Sequence, residues 1–321
     1  MSIKPSSHLP PLIRPPSSVP RPPAPVLRPP SSIPSHLSSI ASGFSRKAAV
    51  YDDYCAGNAA VQWSLNVIRK RVLALLPPHA ELLELNAGTG RDALWFAQRG
   101  VNVHATDVAA GMLDAIADKA ATHNALHHTR ITHEAADFQD LRAVLRPADG
   151  YDLIFSNFGG LNCAEDLTAV CAQFHALLKP GGHVALVVMP PLCPWELAQA
   201  LRGHFKTATR RLHAGGTRAH VEGAHFVTRY FSPATVLRAL GLRFNDAHLQ
   251  AISLFSPPSF VERFPARLPR VFNALTRLDE ATGRWPMLRS MGDYVLITAR
   301  AEIQSISGEA RFELNLGKER A

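Results

Sequence analysis

The residues with the clearest chemical potential lie in one stretch. Leu82, Leu83, Glu84 and Leu85 run into Asn86, Ala87, Gly88, Thr89 and Gly90, and a helical pattern starts at Arg91. Glycines at such a strand-to-helix turn let backbone N–H groups approach a ligand closely. The helix that follows presents its positive end there, so the turn suits a polar or anionic group. Asp107 stands nineteen residues after Gly88, where an α/β nucleotide fold places a carboxylate for ribose hydroxyls. Two other candidates are weaker. Cys163 has no evident activating base and reads as a small buried side chain. His123, His127, His128 and His133 include one i, i+4 pair but no third ligand at metal spacing, so they read as an exposed helix end and loop, and no metal site is expected.

The elements that position this turn follow a β/α rhythm. A helix over 59–76, closed by Pro77 and Pro78, precedes a strand at 81–85, a helix at 91–99 and a strand at 101–106. A helix over 109–122, a strand at 130–133, a short helix at 138–145 and a strand at 151–155 come next. A helix over 164–178, stopped by Pro180, Gly181 and Gly182, leads to a strand at 183–189. Two further strands are expected, within 243–254 and at 293–300, after helices at 233–240 and 268–280. Strands separated by helices predict a doubly wound, Rossmann-like α/β fold with a mostly parallel seven-stranded sheet. The rhythm breaks at 190–230, which reads as an insertion after strand 5.

Two cofactors fit the glycine turn. Gly88, Thr89, Gly90, Arg91, Asp92 and Ala93 satisfy G-x-G-x-x-G/A, which would place the pyrophosphate of NAD on the helix. That reading leaves Glu84 beside a phosphate, where it would be repulsive. The alternative uses more residues. Glu84 to Gly90 resembles the first motif of the class I S-adenosylmethionine-dependent methyltransferases, in which the acid lies near the methionine amino group. Asp107, Val108 and Met112 are similar to the second motif, on the ribose and adenine. Asp137 and Phe138 resemble the third, Asn157 the loop after the fourth strand, and 177–182 the turn before the fifth. The resemblance covers about residues 81–189. It implies S-adenosyl-L-methionine as cofactor, held by Glu84, Asn86, Ala87, Gly88, Gly90, Asp107, Val108, Met112, Asp137, Phe138 and Asn157. Asn86 and Ala87 depart from the Gly and small polar residue usual in the family. Asn tolerates left-handed geometry, so the turn is expected to form. A chain that keeps the fold without the cofactor is the third reading, motivated by those two residues.

Methyl transfer from a sulfonium needs alignment and exclusion of water more than a base, so no universal catalytic residue can be read. The chain is similar to the small-molecule ubiquinone and menaquinone C-methylases, which implies that Tyr54, before the first helix, covers the cofactor. Acceptor contacts are expected from Asn162 and from the insertion. Between Leu201 and Tyr230 six Lys/Arg face one acid, Glu222, which suggests an anionic acceptor bound by Arg210 and Arg211. His225 and Tyr230 are the acid/base candidates there.

Composition bounds the rest. The chain of 321 residues is 46% apolar with a formal net charge of +8, and six of those charges fall in the first fifty residues, which hold no Asp or Glu. The same fifty hold 12 of 25 prolines, so 1–48 is expected to be a disordered Pro/Ser-rich tail. Residues 49–300 are read as one methyltransferase domain and 301–321 as an appendage. The nearly neutral remainder, and the lack of an Asn-Pro-Pro-aromatic signature, argue against a nucleic-acid partner. No apolar run reaches membrane-span length. Four cysteines without a paired pattern fit a reducing, cytoplasmic setting. The tail's prolines count against an organelle-targeting helix, and residues 21–25 offer a Pro-rich ligand for a partner domain.

Overall fold

The computed structural model describes residues 35–303. In chain order the elements are α1 (Ser35–Gly57), α2 (Ala59–Leu73), β1 (Glu81–Leu85), α3 (Arg91–Ala97), β2 (Asn102–Asp107), α4 (Ala110–Leu126), β3 (Ile131–Ala135) and β4 (Tyr151–Ser156). Then come α5 (Leu167–Ala172), α6 (Phe174–Leu177), β5 (Leu178–Val188), α7 (Pro194–Leu197), α8 (Phe205–Thr209), β6 (Thr217–Val221) and β7 (Ala224–Thr228). The chain closes with α9 (Pro233–Leu240), β8 (Phe244–Ile252), α10 (Arg263–Arg267), α11 (Pro269–Thr282) and β9 (Tyr294–Ala301). Among the described residues no helix is long and apolar enough to cross a membrane.

Seven strands form one sheet in the order β3-β2-β1-β4-β5-β9-β8, and β6 pairs only with β7. β1 to β5 are parallel, while β9 runs antiparallel between β5 and β8. The doubly wound α/β expectation therefore holds. β1, β4 and the 184–188 half of β5 are buried almost end to end, as strands covered on both faces must be. One core cluster, including Leu83, Ile154, Phe174 and Leu186, lies on one face of the sheet, and a second, including Leu82, Phe96, Leu153 and Val187, on the other.

Local differences have local causes. Residues 138–145 form turns rather than a helix, because their N–H groups go elsewhere: Leu141 to the Gln173 Oε1 and Leu145 to the Glu134 Oε1. The helix expected from 164 starts at Leu167, capped by the Asp166 carboxylate, and divides at Gln173. β5 begins at Leu178 and absorbs the Pro180–Gly182 turn through an irregularity opposite Tyr151.

The expected tail boundary also moves. α1 starts at Ser35, so 35–48 belongs to the folded unit; residues 1–34, and 304–321 of the expected appendage, lie outside the described residues. α1 is long because it is gripped on two sides. Arg46 donates from Nε and Nη2 to the Glu222 carbonyl at the tip of the β6–β7 hairpin. A Cβ on Gly43 would come within 2.6 Å of Ala224 Cβ, and one on Gly111 of α4 within 2.6 Å of the Ser45 carbonyl. Only glycine permits both approaches. The 190–230 insertion thus builds a hairpin that packs on α1, turned at its tip by Glu222 and Gly223, both at positive φ.

Candidate cofactor and acceptor cleft

Ligands of open α/β sheets bind at the carboxyl ends of the strands where the strand order reverses, here between β1 and β4. The glycine turn sits there. Asn86, Gly88 and Gly90 take φ of 47, 56 and 73°. A Cβ on Gly90 would lie 2.9 Å from Ile116 Cγ1, so glycine is needed for α3 to pack on α4 as well as for the turn. Asp107 closes the turn from β2: one carboxylate oxygen accepts from Gly88 N at 2.9 Å and the other from Ala109 N at 2.9 Å. Burial pushes its carboxyl up to about 6 despite those bonds. Asp107 lines the wider cleft with Val108, Met112 and Phe138.

Glu84 forms the floor. It is 2% exposed, and among the described residues its Oε2 has no hydrogen-bond partner. Burial holds its carboxyl well above the usual carboxylate range, and repulsion from Asp92 adds to this. Asp92 is itself taken up by Arg69 Nε at 2.5 Å and Asn157 Nδ2 at 2.7 Å. A buried carboxylate with one unpartnered oxygen, lining a small pocket beside the glycine turn, suits a cationic donor.

The wider cleft encloses about 870 Å³, counting space open to solvent. Of the sequence-predicted cofactor residues, Asn86, Gly88, Asp107, Val108, Met112, Phe138 and Asn157 line it, while Glu84 and Ala87 line the adjoining pocket. Asp137 is not among the lining side chains; its Oδ1 accepts from Gln139 N and shapes the turn that presents Phe138. Asn157 contributes its backbone region, since its amide serves Asp92 and Phe158 N. Tyr54 does not cover the cleft: it is 41% exposed, with Lys47 over its ring. Tyr51, one helical turn earlier, lines both cavities, its ring 3.9 Å from where a Gly88 Cβ would be. Asp52 holds α1 in this phase through Thr89 Oγ1 at 2.5 Å and Lys119 Nζ at 2.8 Å. Two tyrosines three residues apart differ only in helix phase, which the sequence did not resolve.

The acceptor-side expectations change more. Asn162 is fully buried and stitches loops, accepting from Met189 N at 2.9 Å and donating to the Met189 and Arg229 carbonyls. Arg210 and Arg211 do not line the cleft. Both pair with the buried Glu196, and Arg211 also reaches the Asp293 carboxylate at 2.7 Å. His225 points outward, its ring tilted against His220, because β7 alternates Ala224, Phe226 and Thr228 inward with His225 and Val227 outward. Tyr230 lies under the Arg211 guanidinium, away from the cleft lining. The cleft wall the sequence missed is apolar: Ile40 and Phe44 of α1, Met189, and Phe226 of the hairpin. Cys163 joins it, its thiol pushed up to about 11 by burial. His123 stacks on His127 and bonds Thr129, with burial lowering its pKa. Cys193, Glu196 and Asp293 come close enough to suit a metal, but the Arg211 guanidinium already bridges the two carboxylates.

This strand order, with the cleft at the reversal point, is that of a doubly wound, Rossmann-like α/β fold. Residues 82–182 match the family described as methyltransferase domain. The chain is 28% identical over 178 residues to the malonyl-acyl-carrier-protein O-methyltransferase of Salmonella typhimurium, covering 55% of this chain and 62% of that protein. It is 32% identical over 164 residues to the same-named protein of Serratia marcescens, covering 50% and 57%. The match thus spans about three fifths of these relatives' length. Among solved structures, the methyltransferase CcbJ of Streptomyces caelestis superposes with a TM-score of 0.50 at 20% identity, over 80% of this chain and 96% of that one.

Proposed function

We propose that the protein is an S-adenosylmethionine-dependent methyltransferase with a small-molecule acceptor. The observation that carries this reading is the buried Glu84 carboxylate, whose Oε2 has no partner among the described residues, in a pocket that shares the glycine turn with the cleft Asp107 lines. The donor set fits the cofactor: Glu84 for the methionine ammonium, Asp107 for the ribose diol, and Val108, Met112 and Phe138 for the adenine. NAD fits less well, because its pyrophosphate would meet Glu84 and Asp92 at the turn.

When bound, S-adenosylmethionine supplies a methyl group already activated by the sulfonium charge. The chain's own contribution is alignment and dryness. α1, latched to the glycine turn by Asp52 and to the hairpin by Arg46, closes the cleft and places Tyr51 over it. Holding both partners in attack geometry is worth roughly 7–11 kcal/mol. The titratable side chains facing the wider cleft are Asp107, Tyr51 and Cys163, and burial raises all three. Asp107 is assigned to the diol, which leaves positioning as the main source of rate.

Isothermal titration with S-adenosylhomocysteine and with NAD tests this. The expected result is binding of the first alone, weakened at least tenfold in Glu84→Gln, since a hydrogen bond to a charged group contributes about 1.5–3 kcal/mol. NAD binding without S-adenosylhomocysteine binding would overturn it.

A further inference from the structure

Resting on the methyl-transfer reading, we propose that the acceptor is a neutral, apolar molecule seated between α1 and the β6–β7 hairpin. The wall opposite the cofactor residues comprises Ile40, Phe44, Met189, Phe226, Cys163 and Thr228. Among the described residues lining that half there is no Lys, Arg or His, and the Thr228 hydroxyl is its principal polar point.

Among the described residues, none of the six Lys/Arg between Leu201 and Tyr230 lines this cleft, and several arginines are engaged elsewhere. Arg210 and Arg211 are held by Glu196 and Asp293, Arg46 by the Glu222 carbonyl, and Arg229 by the Ala164 carbonyl. Arg218 is exposed on β6, away from the cleft. A carboxylate entering this half would lose its water without gaining a counter-ion, a heavy penalty in an apolar site. A neutral ring system meets Phe44 and Phe226, whose centroids are 6.1 Å apart, and loses little. The malonyl acceptor named for the relatives is a carboxylate, so this cleft does not favour it.

The two sides of the hairpin supply the test. Phe226 faces the cleft and Val227 faces solvent. Protein saturated with S-adenosylhomocysteine is titrated with 2-naphthol and with 2-naphthoate, which share their rings and differ in charge. The expected result is at least tenfold tighter binding of the naphthol, reversal of that preference in Phe226→Arg, and no change in Val227→Arg. Equal or tighter binding of naphthoate by the parent, the same preference in Phe226→Arg, or binding of neither probe by cofactor-loaded protein would overturn the proposal while the cofactor reading stands. Failure to bind S-adenosylhomocysteine would overturn both.

Discussion

Gly160→Ala should damage this protein only while Asn86 is present. Asn86 stands where the resembling family has glycine, and its side chain crosses from β1 to the loop after β4. There Nδ2 donates to the Asn157 carbonyl at 3.1 Å, and Oδ1 accepts from Ser156 Oγ at 2.6 Å. A Cβ on Gly160 would lie 2.2 Å from Asn86 Cγ and 2.3 Å from its Nδ2, so the methyl and the amide cannot share the space. The backbone of Gly160 is outside the positive-φ region, so Ala brings no backbone strain there, and the three nearest atoms its Cβ would meet all belong to Asn86. Overpacking costs about 1–3 kcal/mol. Expelling Asn86 forfeits two hydrogen bonds, each contributing about 0.5–1.5 kcal/mol, and strands the buried Ser156 hydroxyl. Together the loss is about 3 kcal/mol. Asn86→Gly alone loses the bonds but relaxes a φ of 47° and removes the obstruction. The double variant should therefore be more stable than Gly160→Ala, with a coupling of about 2 kcal/mol. Urea denaturation of the four proteins measures it, and equal costs of Gly160→Ala in the parent and in the Asn86→Gly background would refute the reasoning. Because Asn86 and Gly160 both line the cleft, S-adenosylhomocysteine affinity should fall and recover in the same order.

Further outcomes follow from the site. Protonating Asp107 removes acceptors from the diol, so cofactor affinity should decline as pH drops through about 6, and Asp107→Asn should lose that step and keep only the dependence due to Glu84. The unliganded fold has the opposite sign: a carboxyl raised above its unfolded value destabilises when ionised, so acidification from pH 6 toward 4 should raise this group's contribution to stability, as read by denaturation against pH. Arg211→Ala leaves Asp293 buried and unpaired and Glu196 with Arg210 alone, and should cost about 3–5 kcal/mol in urea denaturation while cofactor-dependent stabilisation persists. Arg210, half exposed, should cost about 1 kcal/mol or less. Tyr51→Ala should weaken S-adenosylhomocysteine binding several-fold by calorimetry, whereas Tyr54→Ala should leave it unchanged.

What the chain declares in advance and what it withholds divide along sequence distance. The strands, the glycine turn and Asp107 could be read because each depends on residues within about twenty positions. Periodicity, turn chemistry and the strand-end acid are local facts. The phase of α1 could not, since it is fixed by Gly111, Thr89 and Glu222, up to 176 residues away. The charge argument failed for the same reason. Counting six cations against one acid over 201–230 treats those residues as one another's only neighbours. The partners of Arg211 are Glu196, just outside that window, and Asp293, 82 residues further on. A charge surplus along the chain becomes a surplus in space only where no distant strand returns an acid to it. Here β9 begins beside the insertion and brings Asp293 with it. The hairpin is then free to present its alternate residues, Phe226 and Thr228, to the cleft, and the wall that looked basic in sequence is apolar in the fold.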